Sequence, residues 1–183
     1  MQKSYLLDCF IIKRKNYQEA DKLITVFSKQ RGKITLKAKG IRKINSKRAG
    51  SLELFNLVKM MVVKGRGDMD IITEVSLFRD YSSLGREFYR TKIAYELLEL
   101  INTFSLEDAE NTGLYELLFK ALDFINTAGF HIELADKASL RFKARILELM
   151  GYGNYETPSH NQLNQIIEEL SERKLVAHHN FSL

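Results

Sequence analysis

Between Arg31 and Arg48 the chain reads RGKITLKAKGIRKINSKR, eighteen positions holding eight cations (Arg31, Lys33, Lys37, Lys39, Arg42, Lys43, Lys47 and Arg48) and no Asp or Glu. Ammonium and guanidinium groups stay charged at pH 7 and only donate hydrogen bonds, so a run of them neutralises phosphate rather than moving protons. A polyanion is the partner such a run calls for. Within it Lys33, Thr35, Lys37 and Lys39 alternate with Ile34, Leu36 and Ala38, the period-two pattern of a strand with one buried face. The lysines therefore share the solvent side. From Ile41 to Ser51 the alternation stops, and a polar basic segment reads as a loop or a single helical turn. A plainer reading is that cations on a strand edge only prevent edge-to-edge aggregation. Eight without a counter-charge exceed that need.

The residue types that catalysis draws on do not converge. His131 falls at a helix start, His160 in a capping region, and His178-His179 in a polar tail. Cys9, the only cysteine, sits among Leu7, Phe10 and Ile11 and reads as a small buried hydrophobe, so no disulfide forms within the chain. There is no H-E-x-x-H, no paired ligand spacing for zinc and no G-x-x-x-x-G-K-[ST] phosphate loop. A metal-dependent nuclease is the enzymatic alternative, but the basic half offers only scattered carboxylates, among them Glu19, Asp21, Glu53, Asp68, Asp70 and Glu74. The expectation is a protein that is not an enzyme and holds no metal, cofactor or small-molecule substrate.

The elements that position the cations follow from patterning. Residues 1–80 hold 18 Lys+Arg against 8 Asp+Glu, whereas 81–183 hold 10 against 15, so the net charge of +5 conceals a strongly basic first half. That asymmetry predicts a nucleic-acid-binding domain over 1–80 and a second domain over 81–183. Ser4–Lys13, Ala20–Lys29, Gly32–Lys39, Leu52–Lys64 and Met69–Phe78 read as five strands. Lys13-Arg14-Lys15-Asn16 reads as a polar turn, and Gly65-Arg66-Gly67-Asp68 as a turn whose glycines supply positive φ. Five short strands with a longer connection after the third suit a closed barrel of the OB type. The overall class is α+β, an N-terminal five-stranded OB-type barrel followed by an α-helical bundle. An OB barrel binds across its second and third strands and between flanking loops. Those places hold Lys33, Lys37 and Lys39 on the third strand, Lys13, Arg14 and Lys15 in the first loop, and Lys64 and Arg66 in the last. Tyr17 is the best base-stacking candidate, while Phe27 and Phe55 are expected to fill the barrel.

Helical spacing governs the second half. Arg86–Phe104 places Ile93, Leu97, Leu100, Ile101 and Phe104 on one stripe. A second helix follows a cap at Asn111 or Thr112 and stops near Gly129. A third runs from about Ile132 to Met150, with Leu134, Ala138, Phe142, Ile146 and Leu149 inward, and a fourth begins at Thr157-Pro158. On the third helix Lys137, Arg141 and Arg145 fall four apart, either a solvated face paired with Glu133 and Glu148 or a second foothold for nucleic acid. No apolar run approaches the length of a membrane span, and no signal peptide is evident, which predicts a cytoplasmic protein without membrane contact.

Several segments resemble one family in order. They are Asn16-Tyr17-Gln18-Glu19-Ala20-Asp21, then Phe27 and Gly32, then Lys39-Gly40-Ile41-Arg42-Lys43-Ile44-Asn45-Ser46 followed by Phe55, then Ala94–Leu100 and Phe142–Tyr152. Together they resemble RecO, the bacterial recombination mediator family. The resemblance implies a DNA-repair protein, nucleoid-associated, that binds single- and double-stranded DNA, anneals complementary strands, and works with RecR and single-strand-binding protein. Many members carry four zinc-binding cysteines after the segment equivalent to Gly151-Tyr152. Here Gly153–Ser159 has none, so the resemblance is to a variant lacking those cysteines. An OB-fold RNA-binding protein of translation is the main alternative, because a basic barrel face does not choose between DNA and RNA.

Overall fold

The computed structural model describes residues 3–43, 46, 48–65, 67–155 and 159–171. Lys47, Arg66, the Thr157-Pro158 cap and His178-His179 lie outside the described residues. Five strands, β1 (Ser4–Tyr17), β2 (Asp21–Ser28), β3 (Gly32–Ala38), β4 (Leu57–Val63) and β5 (Ile71–Arg79), close a barrel in the order β1-β2-β3-β5-β4. Alternation explains the closure. Leu7, Cys9, Ile11, Ile24, Val26, Leu36, Ala38, Val58, Met60, Val62 and Ile72 share the inner side and are almost fully excluded from water.

The first strand is longer than its hydrophobic run. Residues 13–16 continue β1, with Lys13, Arg14 and Lys15 facing Thr25, Ile24 and Leu23 across an antiparallel ladder; the expected polar turn is strand. A register shift between Ile11 and Lys13 lets the strand bend and serve both β4 and β2, so pairing with β2 holds the polar end extended. The reversal comes later, at Gln18, whose φ is 53°. β4 starts at Leu57, not Leu52, because Phe55 takes a φ of 74° that breaks extension. Leu52 still plugs the barrel with Ile41. Gly65 departs from expectation too: its φ is not positive, and a Cβ there would sit 2.1 Å from the Met69 carbonyl oxygen, so close backbone approach is what demands glycine.

The seam between β3 and β5 has one parallel pairing, Lys37 with Ile71. Arg48 reinforces it. Its Nη1 donates to the Ile72 carbonyl at 2.8 Å and its Nη2 to the Lys39 carbonyl at 2.7 Å, tying the end of one strand to the start of the other. Ser105–Asn111, well beyond residue 80, belongs to the same compact unit as residues 1–82. Lys33 and Glu107 form a parallel bridge, and the Asp108 amide donates to the Lys33 carbonyl at 2.9 Å.

The second unit comprises, among the described residues, 83–104, 112–155 and 159–171. After a 3-10 turn at Ser82–Arg86 come α1 (Phe88–Phe104), α2 (Thr112–Ile125), α3 (Ile132–Leu149) and α4 (His160–Ser171). Ser159 caps α4, its Oγ accepting from the Gln162 amide at 3.2 Å. α3 is rotated relative to the expected stripe: Ala135, Ser139, Lys143 and Leu147 are buried with Phe142 and Ile146, while Leu134, Ala138 and Leu149 are only half-buried. The cause is a polar core. Lys143 Nζ lies 2.5 Å from Glu96 Oε1 on α1, Ser139 Oγ donates to Glu96 Oε2 at 2.6 Å, and Nζ also donates to Asn164 Oδ1 at 2.8 Å. Arg90 is likewise buried, donating to the Thr127 and Phe130 carbonyls at 2.8 and 2.7 Å beyond the end of α2.

Candidate nucleic-acid interface

Period-two alternation sorts the cations before any partner is considered. Lys13 and Lys15 point outward from β1 and are exposed, as is Lys39 just past β3. Beside them Arg42 and Lys43 are exposed in the turn after Gly40. Among the described residues none of Lys13, Lys15, Lys39 and Lys43 forms a salt bridge, and Lys39 feels the Asp21 carboxylate only at longer range. Lys37, on the same face, is held: its Nζ lies 3.1 Å from Asp21 Oδ2, donates to Gln18 Oε1 at 3.2 Å, and stands 4.8 Å from the Tyr17 ring centroid. Asp21 Oδ1 accepts from the Gly40 amide at 2.8 Å, and that hydrogen bond, with the Lys37 ammonium, draws the Asp21 carboxyl below its ordinary pKa despite partial burial. Asp21 thus fixes the turn that presents Lys39, Arg42 and Lys43. Gly40 makes the turn with a φ of 64°.

The remaining predicted cations are placed otherwise. Arg14, one residue out of phase with Lys13 and Lys15, turns from their face and pairs with Glu53. Arg48 is spent on the seam. Arg31 makes a two-pronged contact with Asp108, Nε to Oδ1 and Nη2 to Oδ2 both at 2.5 Å, and its guanidinium lies 5.0 Å from the Tyr5 ring centroid. Lys64 Nζ is 3.3 Å from Asp70 Oδ2, which also accepts from the Tyr5 hydroxyl at 2.6 Å. Burial of Asp70 alone would raise its pKa; the hydrogen bonds from Tyr5, Lys64 and the Gly65 amide outweigh it and the carboxyl is held low. Lys33 projects beside Arg31 into an open cleft of about 210 Å³ shared with Tyr5, Lys64, Asp70, Glu107 and Asp108. Phe27 and Phe55 are buried, though outside the cluster that fills the barrel, and Tyr17 is half-exposed at the edge of the cationic face.

In the helical unit Lys137, Arg141 and Arg145 border a groove of about 550 Å³ floored by Ile93, Leu97, Leu117, Ala121, Leu134 and Phe142, with Lys120 on the opposite rim. Arg145 donates to Glu148 at 2.5 Å. Among the described residues no three His, Cys, Asp or Glu side chains group as metal ligands, and no helix is long and apolar enough to cross a membrane.

Residues 1–81 match the family model described as "Recombination protein O N terminal". The chain is 32% identical over 149 residues to the DNA repair protein RecO of Desulforamulus reducens, an alignment covering 81% of this chain and 56% of that protein. The chain belongs to the RecO family. A RecO of Roseiflexus sp. is 32% identical over 148 residues (81% of this chain, 50% of that protein), and one of Clostridium perfringens 31% over 143 residues (78% and 56%). The chain spans about half the length of the curated relatives it matches. The barrel is the OB fold of the RecO N-terminal domain, and the 183 residues carry one cysteine, Cys9. Sequence reasoning missed the RecO barrel's acidic partners, Asp21, Asp70 and Asp108. Asp21 was within reach, as a carboxylate at the start of β2 that alternation puts beside the end of β3.

Proposed function

We propose that this chain serves recombinational DNA repair as a mediator without catalytic chemistry of its own. It holds single- and double-stranded DNA by their phosphates, promotes annealing, and with RecR helps load recombinase onto DNA coated by single-strand-binding protein in the bacterial cytoplasm. The observation that carries this reading is the outer face of β1, β2 and β3 with the Gly40 turn, where Lys13, Lys15, Lys39 and Lys43 are exposed and form no salt bridge among the described residues. Phosphates that approach such a face release condensed counterions, which is favourable and blind to base sequence. Two complementary strands on one cationic surface repel each other less, and annealing is faster for it. Tyr17 stands at the margin of the face, where its ring can stack on a base.

The groove of the helical unit favours a second role for the Lys137, Arg141 and Arg145 stripe. An apolar floor bordered by four cations suits an acidic peptide with apolar anchors better than it suits a nucleic-acid strand, and single-strand-binding protein is the partner we assign to it. RecR is assigned no surface.

Two oligonucleotides of unrelated sequence should lose affinity equally as salt rises when compared as single strands, and again when compared as duplexes, and the protein should accelerate annealing of complementary strands. Preference for RNA in direct competition would move the reading to an RNA-binding OB protein, and cleavage of labelled DNA in Mg²⁺ would move it to a nuclease. Recovery of RecR and single-strand-binding protein with this chain from a bacterial lysate tests the partners.

A further inference from the structure

We propose that the acidic segment Ser105–Asn111 is an internal competitor for phosphate, with the Asp108 carboxylate occupying the Arg31 guanidinium until a nucleic-acid phosphate replaces it. The inference rests on the nucleic-acid-binding reading above and adds a regulation of that site. A carboxylate held by both Nε and Nη2 takes the geometry in which guanidinium binds a phosphate, so Asp108 fills the position a phosphate oxygen pair would fill. The segment is held there by its main chain. The Asp108 amide donates to the Lys33 carbonyl, and the Ala109 carbonyl oxygen packs so closely on Gly32 that a Cβ there would lie 1.9 Å from it.

The backbone therefore anchors the competitor while the side chains exchange. Giving up the ion pair costs little. The Arg31 side chain is 30% and the Asp108 side chain 56% exposed, and an ion pair this open to water adds little to stability. The cleft beside the pair is also lined by Lys33 and by Lys64, whose Nζ lies 3.3 Å from Asp70 Oδ2. Glu107 and Asp70 line it as well, so it admits a phosphate only against opposing charge. The consequence is a graded interface. The unmatched lysines of β1 and the Gly40 turn engage first, and Arg31 joins only when a strand is already held at high local concentration.

Asp108→Asn is the variant of choice, because Asp108 has a φ of 53° and asparagine tolerates that region. Salt titrations on one single-stranded oligonucleotide would compare wild type, Asp108→Asn, Arg31→Ala, the double variant, and Asp136→Asn as an exposed charge-matched control. Asp108→Asn should bind threefold or more tighter at low salt and add about −0.7, one phosphate contact, to the salt slope. Arg31→Ala alone should change affinity by less than about twofold, and in the double variant the gain should vanish. Equal gains from Asp108→Asn and Asp136→Asn, or a gain that survives Arg31→Ala, would reduce the effect to net charge and overturn the proposal. If wild type binds with the expected salt slope and Asp108→Asn does not differ from it, the competitor is wrong and the nucleic-acid reading stands. If no variant binds, both fail.

Discussion

On the outer face of β1, β2 and the Gly40 turn, Lys13, Lys15, Lys39 and Lys43 meet solvent, whereas at the start of β3 and the β4–β5 connection Arg31 and Lys64 meet Asp108 and Asp70. Both groups lie on one barrel and both contribute to the same net charge. They differ in what a phosphate would gain from them. An unmatched lysine offers its full attraction, while a matched one must first surrender a carboxylate. Counting cations therefore overstates an interface, and the useful quantity is the number left without a partner after folding.

The sharpest way to break this contrast is to remove the unmatched side. Replacing Lys13, Lys15, Lys39 and Lys43 by Ala removes up to four phosphate contacts of about −0.7 each, a slope share of roughly −3, equivalent to about sixty-fold over a fourfold rise in salt. Titrations should show that loss for every base sequence alike, with the melting temperature nearly unchanged because the side chains face water. An unaltered slope in the folded variant would leave the face as a solvated edge and nothing more.

A smaller effect, on stability instead of binding, is expected at Arg48. Although it belongs to the same basic run, its guanidinium is committed to the Lys39 and Ile72 carbonyls. Arg48→Met should cost about 1.5–3 kcal/mol, the range for hydrogen bonds from a charged donor, read by denaturant unfolding, while the salt slope of the folded fraction stays put. Loss of binding without loss of stability would return Arg48 to the interface.

The smallest effect comes from turning a matched cation into an unmatched one. Asp21 has its carboxyl pKa lowered by the Gly40 amide and Lys37. Its contribution to stability is accordingly complete above the ordinary carboxyl pKa of about 3.9 and is lost as pH falls through the lower folded value. Asp21→Asn should cost about 1 kcal/mol at pH 7, make the melting temperature less sensitive to acidification below about pH 4, and tighten DNA binding severalfold by releasing Lys37. A pH profile identical to wild type would show that Asp21 does not hold the turn.

The barrel was legible because its signal is local. Alternation in ITLKA and in the first strand's LLDCFII is enough to place the core, and it also puts Lys33 and Lys37 outward. Matching was not legible, because charge partners are chosen by the closed fold: Asp108 reaches Arg31 from 77 residues away, and Arg14 finds Glu53 from 39. Whether residues 13–15 form a turn or a strand depended on pairing with β2, which a polar tetrapeptide does not announce. The α3 face was misjudged for a related reason. A lysine at position 143 reads as solvent-facing until Glu96, on another helix, is known to receive it.

The seam between β3 and β5 gives the barrel a preferred line of opening. Elsewhere each strand is laced to its neighbour by a run of ladder pairs, but here one pairing and one arginine carry the closure. Fluctuations that cost least will part the cylinder along this line, leaving the β1-β2-β3 sheet and its lysines intact. The cationic face is then borne on the well-laced part of the wall, beside a joint that can yield.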